Sequence, residues 1–278
     1  MRRIKLIVAV ILILSLCLMS ACKTEIDSSI IVAGSTSVQP YAEILDEAFA
    51  ALYPEIKIDI QGGGSSAGIE AAKSGTADIG MSSRTLKSAE KEALSYVVEI
   101  AKDGLAIIVH PDNPIVDLTL EQVCDIYSGK ITNWSKLGGR NADIHIIARE
   151  DGSGTRSAFE ELVMTKGREI SPKAIVQDSN GAVRQLVSDD PDSIGFISLG
   201  LVESQKDQKP VTSLRLEGIE ATRENVINGS YNLFRPFLFV SKTEPTDSAK
   251  KFIDFVLSPE GQQILINEGL IPERGVKI

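Results

Sequence analysis

Val38, Tyr41, Leu45, Phe49 and Leu52 recur at intervals of three and four. That spacing predicts a helix over about 38–52 with one buried stripe. Pro40 falls in its first turn, where a missing N–H costs little, and Pro54 ends it. The pattern then changes period: Ile56, Ile58 and Ile60 alternate as in a strand. Apolar runs at 30–33, 77–81, 97–101, 105–109, 144–147, 193–197, 211–216 and 237–241 predict further strands. Helical spacing returns at 87–95, 118–127, 155–166, 181–188, 222–227, 247–257 and 259–268, with a short helix ending near Lys73. Strands and helices alternate from end to end, so the class is α/β.

Three of the strand-to-helix joints carry Ser- and Gly-rich loops: Gly34-Ser35-Thr36-Ser37, Gly62-Gly63-Gly64-Ser65-Ser66 and Asp151-Gly152-Ser153-Gly154-Thr155. In open α/β sheets ligands sit beyond the carboxyl ends of strands, where these loops lie. The first N–H groups of a helix lack internal partners and carry the positive end of the helix dipole. Gly152 and Gly154 remove side-chain bulk, Ser153 and Thr155 add hydroxyl donors, and Arg149 can fork onto two oxygens of a tetrahedral anion. Asp151 is placed to orient Arg149. The third loop therefore reads as an anion cradle, and a plain capped helix start is its alternative.

The chain opens with Arg2, Arg3 and Lys5, followed by an apolar run from Leu6 to Met19. That run is short for a membrane span and right for a signal peptide. It ends Leu18-Met19-Ser20-Ala21-Cys22, which resembles a lipoprotein cleavage box with Cys22 as the lipidated residue; an ordinary cut after Ala21 is the alternative. Residues 1–21 are thus expected to be removed and 22–29 to form a tether. Only Cys124 then remains downstream, so no disulfide framework is available. Net charge is −9, and losing three cations with the leader makes the mature chain more acidic still. That excludes general nucleic-acid binding but not a buried anion, which answers to local donors.

Enzymatic readings find little support. Gly64-Ser65-Ser66-Ala67-Gly68 fits the G-x-S-x-G nucleophile elbow, which would make Ser66 a hydrolase nucleophile. A triad would need His110 or His145, the only histidines, and neither sits in a suggestive context. No Gly-rich loop ends in Gly-Lys-Ser/Thr, and no His/Cys/carboxylate cluster has metal-ligand spacing. Cys124 reads as a core residue. No catalytic residue, metal or cofactor is expected.

Four segments together resemble the ligand loops of bacterial phosphate-binding proteins of the Pst-type ABC importer: 33–37, 61–66, Asp78-Ile79-Gly80-Met81-Ser82-Ser83-Arg84 and 149–155. Ile131-Thr132-Asn133-Trp134 and Ser193-Ile194-Gly195-Phe196 extend the likeness. The resemblance implies a two-lobed periplasmic-binding-protein fold of type II-like topology, joined by two crossing segments. Lobe I would span 28–110 plus 236–278, and lobe II 111–235. It implies phosphate contacts from Thr36, Ser37, Ser65, Ser83, Arg149, Ser153, Gly154 and Thr155, with Asp151 orienting Arg149. It also implies an extracytoplasmic lipoprotein held to the cell membrane through Cys22, monomeric, delivering inorganic phosphate to permease subunits. At the place of Ser83 the best-known members carry an aspartate that accepts from protonated phosphate and rejects sulfate. A receptor for sulfate or phosphonate is therefore the nearest alternative. Arg84, beside it, reads equally as added positive charge or as a surface residue.

Overall fold

A computed structural model describes residues 28–165, 167–204 and 210–272. The leader, Cys22 and most of the tether lie outside the described residues. Among the described residues there are twelve strands: β1 Ser28–Gly34, β2 Ile56–Gly62, β3 Ile79–Ser82, β4 Tyr96–Val109, β5 Asp117–Leu118, β6 His145–Arg149, β7 Ile175–Gln177, β8 Ser193–Ser198, β9 Thr212–Ser213, β10 Arg215–Leu216, β11 Phe234–Ser241 and β12 Ile271–Pro272. Ten helices accompany them: α1 Gln39–Leu52, α2 Ser65–Ser74, α3 Ser88–Ala93, α4 Leu120–Tyr127, α5 Gly154–Leu162, α6 Asn180–Asp189, α7 Leu199–Ser204, α8 Arg223–Ile227, α9 Asp247–Leu257 and α10 Pro259–Asn267.

The main sheet runs β2-β1-β3-β11-β4-β8-β6-β7, with β9 and β12 also paired to β4. β1 is parallel to β2 and β3, and β6 is parallel to β7 and β8, as helix crossovers require. β11 runs antiparallel to β3 and β4, and β4 antiparallel to β8. β4 is the shared member: residues 96–104 pair with β11, and 105–109 pair with β8.

Two main hydrophobic cores lie on either side of that division. One gathers Val32, Tyr41, Leu45, Phe49, Ile100, Phe237, Phe239, Phe252 and Leu265. Here α1 buries Tyr41, Leu45 and Phe49 of its predicted stripe, while Leu52 at its last turn is exposed, and Phe49 meets Phe252 edge-on at 5.3 Å between ring centres. The other gathers Ile107, Tyr127, Trp134, Ile147, Phe159, Val183 and Phe196. Its centre is a stack of Phe159 on Phe196 at 4.1 Å, with Tyr127 at 4.5 Å from Phe159. Cys124 is buried in this second core, where burial pushes its thiol up.

Three expected elements take a different form, and β5, β7, β12 and α7 lie where the sequence pattern predicts no such element. The runs 97–101 and 105–109 are one strand, not two, because Asp103 finds a cross-strand partner in Arg235 and Gly104 admits Leu199 against the backbone. The 211–216 run is split into β9 and β10, which pair with different partners. The helix expected over 155–166 starts at Gly154 and stops at Leu162, where Val163 and Met164 turn back to hydrogen-bond Phe159.

Candidate functional site

β1, the β2–α2 turn, β3 and β6 deliver the loops singled out in the sequence to one place. Gly34 permits the first approach: its φ is +139°, and a Cβ there would lie 2.8 Å from the Gly68 Cα. Ser35 Oγ accepts from the N–H of Ser37 at 3.2 Å and donates to Ser83 Oγ at 2.9 Å. Ser83 N–H donates to Ser65 Oγ at 3.0 Å. Gly154, opening α5, closes against this group, because a Cβ on it would strike Ser65 Oγ and Ser83 Oγ. Ser153 caps α5, accepting from the N–H of Arg156 at 3.2 Å. Ser37 Oγ lies 2.8 Å from Thr155 Oγ1. Thr36, Ser37, Ser65, Ser83, Arg149, Ser153, Gly154 and Thr155 therefore surround one region, where α1, α2 and α5 all begin. All of them but Thr36 are buried.

Arg149 is the principal cation there. Only 1% of its surface is exposed. Nε and Nη2 engage the Glu150 carboxylate at 2.9 and 3.0 Å. Nη2 also donates to Thr36 Oγ1 at 3.0 Å and to the Asp178 carbonyl at 3.0 Å. Nη1 is buried with no hydrogen-bond partner among the described residues. Leaving such a donor unmet costs about 1–3 kcal/mol, more when it is charged. The fork is held from behind with one face unspent, which suits an incoming oxyanion.

The orienting residue differs from the expectation. Asp151 is 92% exposed and pairs with Arg156 Nη1 at 2.8 Å, while Glu150 holds Arg149. The cause is local: Ser153 N–H bonds back to the Glu150 carbonyl, so the chain turns immediately after Glu150 and carries Asp151 outward. Arg84 is neither a surface residue nor a donor to the site. It is buried, forked onto Glu90 at 2.8 Å twice, and donates to Ser66 Oγ at 3.3 Å. Ser66 thus accepts from a guanidinium rather than meeting a histidine base; His145 pairs with Asp190 and His110 bonds Asp112. A triad on Ser66 is not assembled.

Three contributors went unread in the sequence. Asn180, the first residue of α6, donates from Nδ2 to Ser37 Oγ at 2.8 Å. Arg235 of β11 donates from Nη2 to the same oxygen at 3.2 Å and to Asp103 Oδ2 at 3.0 Å. Asp103 also accepts from Ser198 Oγ and Gly200 N–H. Burial pushes the Asp103 carboxyl up against the pull of Arg235, and pushes the Arg235 guanidinium down. A lone Asp or Arg in an apolar strand is a signal that could have exposed both, since each needs a buried partner.

These contacts also bridge the two cores. Thr36 and Ser37 belong to the β1 side, and Arg149, Thr155 and Asn180 to the β6 side. The Ser66 N–H donates across the same gap to the Gly152 carbonyl at 3.1 Å.

Residues 21–260 match the model of the PBP superfamily domain. The phosphate-binding protein PstS of Bacillus subtilis is 31% identical over 255 residues, covering 90% of this chain and 82% of that one. Among solved structures, a Clostridium perfringens substrate-binding protein with bound phosphate is 46% identical, with a TM-score of 0.83 over 89% of this chain and 100% of that one. An ABC-type phosphate transport receptor from Vibrio cholerae is 37% identical, with a TM-score of 0.71 over 88% of this chain and 100% of that one. With its mixed sheet, two cores and loops meeting between them, the chain belongs to the PBP superfamily and, within it, to the PstS family.

Proposed function

We propose that this chain is the extracytoplasmic receptor of an ABC importer, capturing inorganic phosphate between two lobes and releasing it unchanged to permease subunits. The reading takes 28–110 plus 236–278 as one lobe and 111–235 as the other. Thr36, Ser65, Ser83, Arg149, Ser153, Gly154 and Thr155 contact the ion, with Ser37 in support and Glu150 as the orienting carboxylate. A lipid on Cys22 keeps the monomeric receptor beside its importer.

One observation carries the proposal: the buried Arg149 guanidinium reaches from the β6 side to Thr36 Oγ1 on the β1 side and keeps Nη1 without a partner among the described residues. Closure replaces the ion's water shell with these donors, and domain closure of this kind belongs to the ordinary hinge repertoire. A micromolar affinity needs about 8 kcal/mol net, within reach of a few charge-assisted bonds. The named ligands of the similar proteins support phosphate over sulfate or phosphonate.

Calorimetric titration of the mature chain with phosphate and then sulfate tests the reading. Phosphate should bind, and Arg149→Ala should weaken it at least about tenfold, near 1.4 kcal/mol, with the circular dichroism unchanged. Equal affinity in that variant, or preference for sulfate in the parent, defeats the assignment.

A further inference from the structure

We propose that the Ser37 side chain is a buried relay rather than a ligand: Asn180 and Arg235 fix it as a donor to Thr155, which leaves the Thr155 proton for the bound anion. This rests on the phosphate-receptor reading and specifies how one part of that site works.

A serine hydroxyl has one proton and two lone pairs. Ser37 Oγ has three polar neighbours: Asn180 Nδ2 at 2.8 Å, Thr155 Oγ1 at 2.8 Å and Arg235 Nη2 at 3.2 Å. A guanidinium only donates. The Asn180 amide is oriented independently, because its Oδ1 accepts from the Ser198 N–H at 3.2 Å, so Nδ2 is the end that meets Ser37. Two donors fill both lone pairs. The Ser37 proton must therefore leave toward the third neighbour, and Thr155 Oγ1 accepts it.

Arg235 is restrained at the same Nη2, although its Nε and Nη1 are buried without a hydrogen-bond partner among the described residues. Asp103 grips it at 3.0 Å, and Ser198 Oγ and Gly200 N–H hold Asp103 at 2.9 and 3.2 Å. Ser37, Thr155, Asn180 and Arg235 are each at most 2% exposed, so water does not compete for the bonds. Arg235 lies between Leu233 of one core and Phe237 of the other, so the polarity of a hydroxyl at the start of α5 is set from a segment that joins them. Ser37, Asn180 and Arg235 are thus positioning residues that act through Thr155.

A double-mutant cycle tests this by phosphate calorimetry on the mature chain, using Ser37→Ala, Thr155→Val and the double variant. The relay predicts a loss of at least about tenfold for Thr155→Val and a clear loss for Ser37→Ala. The double variant should then be no weaker than Thr155→Val alone, because Ser37 contributes through Thr155. A double variant whose loss equals the product of the single losses would make Ser37 a separate ligand and overturn the relay, as would unchanged affinity in Ser37→Ala. If Ser37→Ala does not fold, Ser37→Cys, of similar shape and far weaker donor strength, takes its place in the same cycle. Should the parent bind sulfate in place of phosphate, the receptor assignment falls, and the cycle read with sulfate still decides the relay.

Discussion

At residue scale the site depends on what is missing from its glycines as much as on its hydroxyls. Gly154 has no room for a methyl group beside Ser65 and Ser83, whereas a Cβ at Gly152 would meet nothing closer than the Ser66 Cβ at 3.9 Å. Gly154→Ala should therefore push the two serines apart and weaken phosphate at least about tenfold, while Gly152→Ala should cost markedly less. Calorimetry of the two variants side by side checks the difference. The sequence made most of this site legible, because Ser, Thr and Gly at strand-to-helix joints have few other uses in that number. It misdirected attention to Asp151 because two adjacent carboxylates follow Arg149, and composition does not say which one the turn throws outward. Asn180 was not legible, and Asp103 and Arg235 stand out in the sequence only as charges in apolar strands, without their partners. Each lies far along the chain from its partner: Arg235 falls opposite Asp103 only in the β11–β4 register, and Asn180 reaches Ser37 only from the start of α6.

Among the elements, α2 illustrates how a binding loop is fastened. It begins at Ser65, and its second residue is tied through Ser66 Oγ to Arg84, which in turn is forked onto Glu90 in α3. The Arg84 hydrogen bonds hold the Glu90 carboxyl below the usual glutamate range. The native state therefore favours the ionised form, and the stabilisation is present above about pH 4.3, the unfolded value, and lost as pH falls through the lower native value. Glu90→Gln should be less stable than the parent at neutral pH by about 1.5–3 kcal/mol, and the gap should close in acid. Urea unfolding at neutral and acidic pH measures it. Helix and strand identity was broadly legible from periodicity. The continuity of β4 was not, because Lys102-Asp103-Gly104 separates two apolar runs until the buried Arg235 neutralises its middle residue.

For the whole molecule, hydrogen bonds between the two cores converge on the anion site, so ligand binding and overall stability are linked. Phosphate at one hundred times its dissociation constant should add about 2.7 kcal/mol and raise Tm by several degrees. The Arg149→Ala chain at the same phosphate concentration should show about half that rise or less, which scanning calorimetry reads directly. That the α/β layout was legible and the path between cores was not has a simple cause. Alternating patterns report local periodicity, while the sharing of β4 by two partners depends on contacts 85 or more residues apart.

The path of the chain through its two cores also orders its folding. The core that contains Phe159 and Phe196 is drawn from residues 105 to 233. The other begins at Ile30 but needs Phe237, Phe252 and Leu265 to be filled. When the polypeptide folds as it emerges, first residues first, the early part must wait, with Val32, Tyr41 and Phe49 lacking their last partners, until nearly the final turn of helix has appeared. The later half can finish first, and a chain truncated shortly after residue 233 should contain a packed core preceded by an unfinished one.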